Sequence, residues 1–201
     1  AEEVVASIVA AGGSAEAVAF DVADAQASAD ALAALLEAGP IHIVVNNAGI
    51  HDDAPMAGMN AQQWHRVIDV SLHGFFNVTQ PLLLPMARAR WGRIVSVSSV
   101  AAVLGNRGQT NYAAAKAALH GASKSLAREM ASRGIAVNVV APGVIESEMV
   151  GDSFAPELIK QMVPAGRVGT PDEVAALVAF LCSDVAGYIN GQVIGINGGM
   201  G

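Results

Sequence analysis

The chain has 201 residues, 53% hydrophobic and 14% charged, which fits one globular domain spanning residues 1–201. Its formal net charge of −7 at pH 7 excludes a general nucleic-acid binder, because neutralising phosphates requires an excess of Lys and Arg. It has no apolar stretch of about 18 to 20 residues that could span a membrane and no signal-peptide pattern, so we expect a soluble, cytoplasmic protein with no membrane partner.

The first ninety residues alternate between helical and extended patterns. Gly39-Pro40 ends the second helix, because glycine caps a helix and proline cannot continue one. Asn60 is a candidate cap for a long helical segment, in which Pro81 and Pro85 predict kinks or breaks. The predicted elements are a helix over Ala1–Ala11, a strand over Ala17–Phe20, a helix over Ala25–Ala38, a strand over Ile41–Val45 and the helical segment Ala61–Ala89.

The same alternation continues to the end of the chain. Thr170 and Glu173 have the spacing of a capping box, which predicts a helix start there. The remaining elements are a strand over Arg93–Ser98, a helix over Gln109–Ser132, a strand over Ile135–Ala141, a short helix within the connection Val144–Gly169, and a last strand over Gln192–Asn197. Alternating strands and helices predict an α/β fold with a Rossmann-like, doubly wound parallel sheet.

Three side chains form a candidate active site. Tyr112 and Lys116 are four residues apart on a predicted helix, which places them on one face. Ser99 follows a predicted strand, and ligands in open α/β sheets bind beyond the carboxyl ends of the strands. A Tyr-x3-Lys pair alone is more often a surface pair on a helix. The segment Asn46–Gly49, which follows the preceding strand, makes the active-site interpretation the better one.

In these residues the chain resembles the classical short-chain dehydrogenase/reductases, and among them the bacterial 3-oxoacyl-(acyl-carrier-protein) reductases. The resemblance implies a Rossmann fold and NADPH-dependent reduction of 3-oxoacyl thioesters, carried by acyl carrier protein or coenzyme A, in fatty acid synthesis. The segments that carry the narrower likeness are Gly105–Lys116, Ser125–Glu129, Ala131–Gly143 and Ile196–Gly199.

The resemblance also assigns roles to the candidate residues. Tyr112 would donate the proton, Ser99 would bind the substrate carbonyl, and Lys116 would hold the nicotinamide ribose and lower the pKa of Tyr112 toward 7. The neighbouring Ser98 would be only a turn hydroxyl. Ser71 stands where many members have an asparagine that helps to hold a proton-relay water. A hydroxyl offers fewer donors than an amide, so we expect reduced turnover or a repositioned water, unless Ser71 is an ordinary helical serine.

Further positions match cofactor contacts of the resembling family. That family favours NADPH, and NADH stays open because the strand that normally selects between the two is not in the sequence. The resemblance implies cofactor contacts at Tyr112 and Lys116, at Asp21 and Val22 beside the adenine, at Asn47, Ala48 and Gly49 along the adenosine side, and at Pro142, Gly143, Ile145 and Ser147 around the nicotinamide.

The sequence departs from the family at its start. It contains no G-x-x-x-G-x-G turn, the strand-turn-helix whose backbone amides receive the cofactor pyrophosphate in the family. The likeness begins part-way into the family pattern. We therefore expect that a preceding segment has been removed or lies outside this sequence. We also expect these 201 residues alone to bind a dinucleotide at least about a hundredfold more weakly than an extended chain.

Metal and partner expectations follow from the remaining residues. The five histidines lack paired ligand spacing and Cys182 is the only cysteine, so we expect neither a metal site nor a disulfide. Arg88, Arg90 and Arg93 cluster near Trp91 in the sequence, and Arg128 and Arg133 form a second basic cluster. By resemblance, Arg90 and Arg133 match docking positions for an acidic carrier protein; plain solvated arginines are the alternative.

The resemblance implies a homo-oligomer, most naturally a tetramer, and the apolar residues Val70, Phe75, Phe76 and Val78 support it. Two other functions stay open. A dehydrogenase of another secondary alcohol or ketone, such as a sugar or steroid, is one, because Val144–Val168 carries little readable specificity. A reductase-fold binding protein without catalysis is the other. Ser71 and the absent glycine-rich turn suggest it, whereas intact Ser99, Tyr112 and Lys116 argue against it.

Overall fold

Four parallel strands form the centre of the fold in the computed structural model, which describes residues 1–146 and 156–201. The strands pair in chain order, so that each lies next to its successor in sequence. The two central strands are almost wholly buried, as expected for a parallel sheet covered on both faces. The strands are β1 (Ile43–Asn46), β2 (Gly92–Val97), β3 (Ile135–Pro142) and β4 (Val193–Ile196).

Helices connect the strands, and side-chain caps fix where several of them begin. Asp24 accepts hydrogen bonds from two backbone amides at the start of the second helix, and capping boxes at Asn60 and Thr170 start two others, as predicted. The helices are α1 (Glu2–Ala10), α2 (Ala25–Glu37), α3 (Ala61–Ile68), α4 (Gly74–Ala89), α5 (Ala101–Leu104), α6 (Thr110–Met130), α7 (Pro156–Met162) and α8 (Pro171–Cys182).

The sheet separates two hydrophobic cores. On one face, α2, α4 and α6 pack through side chains that include Leu32, Leu82 and Ala127. On the other face, α8 packs Leu181 against the sheet. Successive residues of β2 alternate between these cores, Ile94 facing the first and Val95 the second. The predicted α/β, Rossmann-like fold is therefore confirmed.

Two local predictions are wrong. Residues 17–20 form no strand, because within the described ranges no neighbouring strand pairs with them and an extended segment needs such a partner. Of the kinks or breaks predicted at Pro81 and Pro85, the breaks do not occur, because both prolines lie inside α4. Tertiary packing supplies most helical stability, and the burial of neighbouring Leu82 and Met86 offsets the hydrogen bonds lost at the prolines. The α-helical hydrogen-bonding pattern is instead interrupted by a π-helical turn, Asp69–His73, between α3 and α4.

None of the described helices is both long and apolar enough to cross a membrane.

Candidate active site

A cavity of about 250 Å³ opens at the carboxyl ends of β1, β2 and β3. The loops that follow these three strands form most of its wall, and the first turns of α6 close it. It brings together the three side chains predicted to act on the substrate. Its lining residues are Asn47, Gly49, Ile50, His51, Val97, Ser98, Ser99, Tyr112, Lys116, Pro142 and Gly143.

The surroundings of Tyr112 favour the protonated phenol at neutral pH. Burial raises the pKa of Tyr112, the Ser99 hydroxyl lowers it, and the Asp53 carboxylate raises it further. Ser99 Oγ also accepts a hydrogen bond from the Ala101 backbone N–H at 3.1 Å, so the start of α5 orients this hydroxyl. The two hydroxyl groups therefore interact within the wall of one cavity.

Lys116 lies buried beneath the tyrosine. Its Nζ is 5.8 Å from the centroid of the Tyr112 ring and donates a hydrogen bond to the Val97 carbonyl oxygen at 2.9 Å. Burial lowers the pKa of Lys116 to about 8, so the ammonium form still predominates at pH 7. In this arrangement the pKa of Tyr112 is raised and not brought down toward 7, because burial is the largest cause and the Ser99 hydroxyl is the one group that lowers it.

Asn111 fixes the start of α6 and thereby the position of Tyr112. Its side chain is fully buried, donates to the carbonyl oxygens of Asp52 and Gln63 at 3.0 Å each, and accepts from the Tyr112 N–H at 2.8 Å. These bonds tie α6 to the loop after β1 and to α3. Gln109 adds a bond to an Asp53 carboxylate oxygen at 2.8 Å.

Ser98 and His120 form a second link between β2 and α6. Ser98 Oγ lies 3.1 Å from the Lys116 carbonyl oxygen and 2.7 Å from His120 Nε2. Ser98 is buried. Burial and the Lys124 ammonium lower the pKa of His120, which favours the neutral imidazole.

The loops after β1 and β3 offer backbone surface where side chains would not fit. A Cβ at Gly49 would lie 2.8 Å from Lys116 Nζ, and one at Gly143 would lie 2.7 Å from Asn197 Cα. Pro142 and Ile145 line an adjacent, mostly apolar cavity of about 470 Å³ beside α8, which also reaches Asn47. Glycine at these two positions therefore lets the loops pack closely against Lys116 and Asn197 beside the two cavities.

Val22 and Ala48, two of the predicted adenine and adenosine contacts, lie on the other side of Asn47, whereas Gly49 lines the cavity of Tyr112. Val22, Asn47 and Ala48 line a cavity of about 200 Å³ between the sheet edge and α4. The Asp21 carboxylate does not line any of the cavities described here and accepts the Ala23 N–H at 2.9 Å instead. Ser147 lies outside the described residues.

Ser71 is placed differently from the other predicted catalytic residues. It lies in the π-helical turn and lines the cavity of Val22 and Ala48, not the one that holds Tyr112. Its side chain is 4% exposed, and its Oγ, like those of Ser96 and Ser123, has no hydrogen-bond partner among the described residues. A buried hydroxyl without a partner is unusual and calls for a bound water or ligand group.

Arg90 and Arg133 line a surface groove of about 500 Å³ at the far end of α4 and α6, together with Leu84, Ala87, Arg88, Glu129 and Met130. The Arg90 guanidinium donates to the Ser132 carbonyl oxygen at 3.1 Å. The predicted surface cluster is wrong for Arg93. That side chain is buried, lies 4.6 Å from the Trp91 ring centroid and donates to the Ser183 carbonyl oxygen, because β2 carries it into the sheet.

Sequence reasoning missed His51, Asn111 and His120. His120 follows Lys116 by four residues and Tyr112 by eight, so helical spacing could have placed it on the same face. His51 follows the Asn46–Gly49 segment directly after Ile50, which could have placed it at the cavity mouth. Among the residues described, no group of three or more His, Cys, Asp or Glu side chains could hold a metal ion.

Comparison with known proteins places the whole chain in one family. Residues 1–201 match the family model described as enoyl-(acyl carrier protein) reductase. The chain is 44% identical to a 3-oxoacyl-[acyl-carrier-protein] reductase of Aggregatibacter actinomycetemcomitans, over 100% of this chain and 84% of that protein. It is 49% identical to the corresponding reductase of Aquifex aeolicus, over 80% of this chain and 65% of that protein. It is also 46% identical to nodulation protein G of Azospirillum brasilense, over 90% and 74% respectively.

Proposed function

Because this chain belongs to the short-chain dehydrogenase/reductase family, and is thus an NAD(P)-dependent oxidoreductase acting on ketone and hydroxyl groups, we propose that it reduces 3-oxoacyl thioesters to 3-hydroxyacyl thioesters. The acyl group would be carried by acyl carrier protein or coenzyme A. The observation that carries the proposal is the single cavity that holds Ser99, Tyr112 and Lys116 together. The similarity to reductases of 3-oxoacyl-[acyl-carrier-protein] supports the substrate class.

A nicotinamide cofactor fits the surroundings of this cavity, and when bound it supplies the hydride that reduces the ketone carbon. Asn47, Gly49, Pro142, Gly143 and Ile145 would hold it near the buried Lys116, and Val22 and Ala48 would border its adenosine side. Asp21 and Ser147 remain proposed contacts by family resemblance alone. We propose NADPH as the physiological cofactor, because the resembling family favours it.

The proton chemistry is assigned to the chain's own side chains. Neutral Tyr112 would donate its proton to the carbonyl oxygen, and the Ser99 hydroxyl would hydrogen-bond the same oxygen as negative charge develops on it. The Lys116 ammonium would stabilise the phenolate that remains, since its Nζ lies 5.8 Å from the ring centroid in a water-poor site. The raised pKa of Tyr112 favours the donor role, because the phenol is protonated at neutral pH.

Ser71 is proposed to bind a water that helps to return a proton to Tyr112. Its unpartnered Oγ supports a bound water, and the shared wall residue Asn47 lies between its cavity and that of Tyr112. A serine reaches less far than an amide, so we expect this relay to limit turnover.

The groove containing Arg90 and Arg133 is proposed to receive the acyl carrier protein. Arg88 adds a third guanidinium, and Leu84, 68% exposed, offers an apolar contact among them. A local basic groove on a chain of net charge −7 can attract a strongly acidic partner.

The protein is also proposed to form a homotetramer. Phe76 on α4 is 62% exposed and Tyr188 before β4 is fully exposed, so two large apolar side chains are available to other subunits. Val78, by contrast, packs against the core and does not support the interface. Sedimentation velocity at micromolar concentration tests the proposal, and a stable monomer would contradict it.

A substrate panel tests the proposed reaction. With NADPH, the protein should reduce acetoacetyl thioesters of acyl carrier protein and coenzyme A much faster than simple cyclic ketones. Equal rates on both classes would favour a dehydrogenase of another alcohol. No turnover on any ketone, with dinucleotide binding retained, would favour a non-catalytic binding protein.

A further inference from the structure

One hydroxyl proton beside the active site determines how a neighbouring histidine is oriented. Ser98 Oγ lies within hydrogen-bond distance of two atoms, the Lys116 carbonyl oxygen at 3.1 Å and His120 Nε2 at 2.7 Å. A hydroxyl has one proton, and a carbonyl oxygen can only accept. Both contacts are hydrogen bonds only if Ser98 donates to Lys116 and accepts a proton from His120 Nε2. The imidazole is then the Nε2–H form.

These hydrogen bonds link the turn after β2 to α6. The proposed reaction requires a fixed relative position of these two elements. Ser98 is joined covalently to Ser99, which bears the hydroxyl proposed to bind the carbonyl oxygen. Lys116 and His120 lie one and two turns after Tyr112 on α6. The chain from His120 through Ser98 to Lys116 therefore holds the turn after β2 against the helix that carries the proton donor.

We propose that His120 is a positioning residue for the reduction, which donates from Nε2 to Ser98 and thereby keeps the Ser99 hydroxyl directed at Tyr112. The proposal rests on the proposed roles of Ser99 and Tyr112. His120 is half-buried, and its charged neighbour on the same helix is Lys124. A neutral imidazole has a single N–H. Because Ser98 must receive that N–H from Nε2, the hydrogen bond fixes both the tautomer and the orientation of the ring.

The first test compares three variants. His120→Leu removes the donor, and we expect kcat to fall about three- to tenfold, the fold-change that matches one ordinary hydrogen bond, with the KM for NADPH unchanged. His120→Gln has an amide N–H at similar reach and should recover most of the loss. His65→Leu, on the exposed surface of α3, is the matched control and should behave as the wild type.

A pH profile separates positioning from plain packing. If Ser99 is no longer directed at Tyr112, it stabilises the phenolate less, so the pH dependence of alcohol oxidation should move to higher pH in His120→Leu and return in His120→Gln. An unchanged profile in His120→Leu, or equal losses in the Leu and Gln variants, would overturn the proposal.

Nitrogen-15 NMR of the wild-type imidazole gives a test without any variant. A protonated Nε2 on His120 at pH 7 supports the proposal, and a protonated Nδ1 overturns it.

A double-mutant cycle adds a third measurement. Ser98→Ala with His120→Leu should lose no more activity than Ser98→Ala alone, whereas additive losses contradict the shared bond. If Tyr112→Phe stays active, the proposed function fails regardless of His120. If Tyr112→Phe is inactive and these tests fail, only the positioning role fails.

Discussion

Lys116 Nζ lies 5.8 Å from the centroid of the Tyr112 ring and donates to the Val97 carbonyl oxygen, with no carboxylate among its hydrogen-bond partners in the described residues. The ammonium is thus held by the strand that precedes Ser99 and faces the phenol. The nearby Asp53 carboxylate acts on the phenol in the opposite direction, because it raises the pKa of Tyr112. A positive charge in this position stabilises a phenolate more than it stabilises a neutral phenol. The pair can therefore contribute more to the transition state than to substrate binding.

Replacing Tyr112 with Phe should lower kcat at least about a hundredfold, because a positioned proton donor is lost while the ring and its packing remain. The affinity for NADPH should change little. Steady-state kinetics with an acetoacetyl thioester and calorimetric titration of NADPH measure the two quantities. Turnover near the wild-type value would contradict the assignment of Tyr112 as the proton donor.

Replacing Lys116 with Met should abolish turnover and yet stabilise the fold. Burial lowers the pKa of Lys116 from 10.5 to about 8, which corresponds to about 3 kcal/mol against the charged form at pH 7. Losing the hydrogen bond to Val97 costs about 1 kcal/mol, which offsets part of this gain in stability. We expect the free energy of unfolding at pH 7 to rise by about 2 kcal/mol in urea denaturation.

The pH dependence of this gain has a definite sign. Below pH about 8 both the folded and unfolded chains carry the Lys116 proton, and the cost of burying the charge is present in full. Between about 8 and 10.5 only the unfolded chain stays protonated, so the wild type gains stability as the pH rises and the advantage of Lys116→Met shrinks. Lys124→Met, an exposed lysine on the same helix, is the control. An advantage that is constant from pH 7 to 10 would contradict the desolvated ammonium.

Replacing Ser71 with Asn should raise kcat several-fold at saturating substrate. The amide adds donors and reach, and the adjoining cavity of about 200 Å³ leaves space for the larger side chain. Ser71→Ala tests whether the hydroxyl acts now, and it should lower turnover and change the solvent isotope effect on kcat. A folded Ser71→Asn variant that is no faster than the wild type would refute a relay through this position.

Reversing the charges of Arg90 and Arg133 to Glu should raise the KM for the carrier-protein thioester about tenfold or more and leave the KM for the coenzyme A thioester unchanged. Two close charge contacts across an interface are sufficient for such a loss. Arg128→Glu is the matched control, because Arg128 is exposed on α6 but does not line the groove. Equal losses on both thioesters would show that the groove does not dock the carrier.

Much of this architecture could be predicted from local sequence signals. The strands β2 and β3 are predominantly apolar runs bounded by turn residues, and Thr170 with Glu173 forms the capping box that their spacing predicts. The grouping of Ser99, Tyr112 and Lys116 in one cavity also follows from strand-end and helical-face arguments. These features depend on residues close in sequence or on rules that hold for every parallel sheet.

Other features depend on contacts between distant residues, which a single sequence does not reveal. Whether residues 17–20 pair as a strand depends on a neighbour, and whether α4 continues through Pro81 depends on the burial of Leu82. The direction of the pKa shift at Tyr112 depends on how deeply the phenol is buried. The contact of His120 with Ser98 joins residues 22 positions apart.

The π-helical turn at Asp69–His73 contains one residue more than a regular α-helix would need to cover the same rise. Deleting any one of these five residues could restore a regular helix, but it would rotate α3 relative to α4 by about 100°. Val67, now fully buried, would turn away from the interior, and the Gln63 carbonyl oxygen would leave the Asn111 amide that precedes Tyr112. A regular helix across this turn is therefore incompatible with a correctly anchored Tyr112. Deleting even a residue of the turn that lines no cavity, such as Asp69, should inactivate the protein.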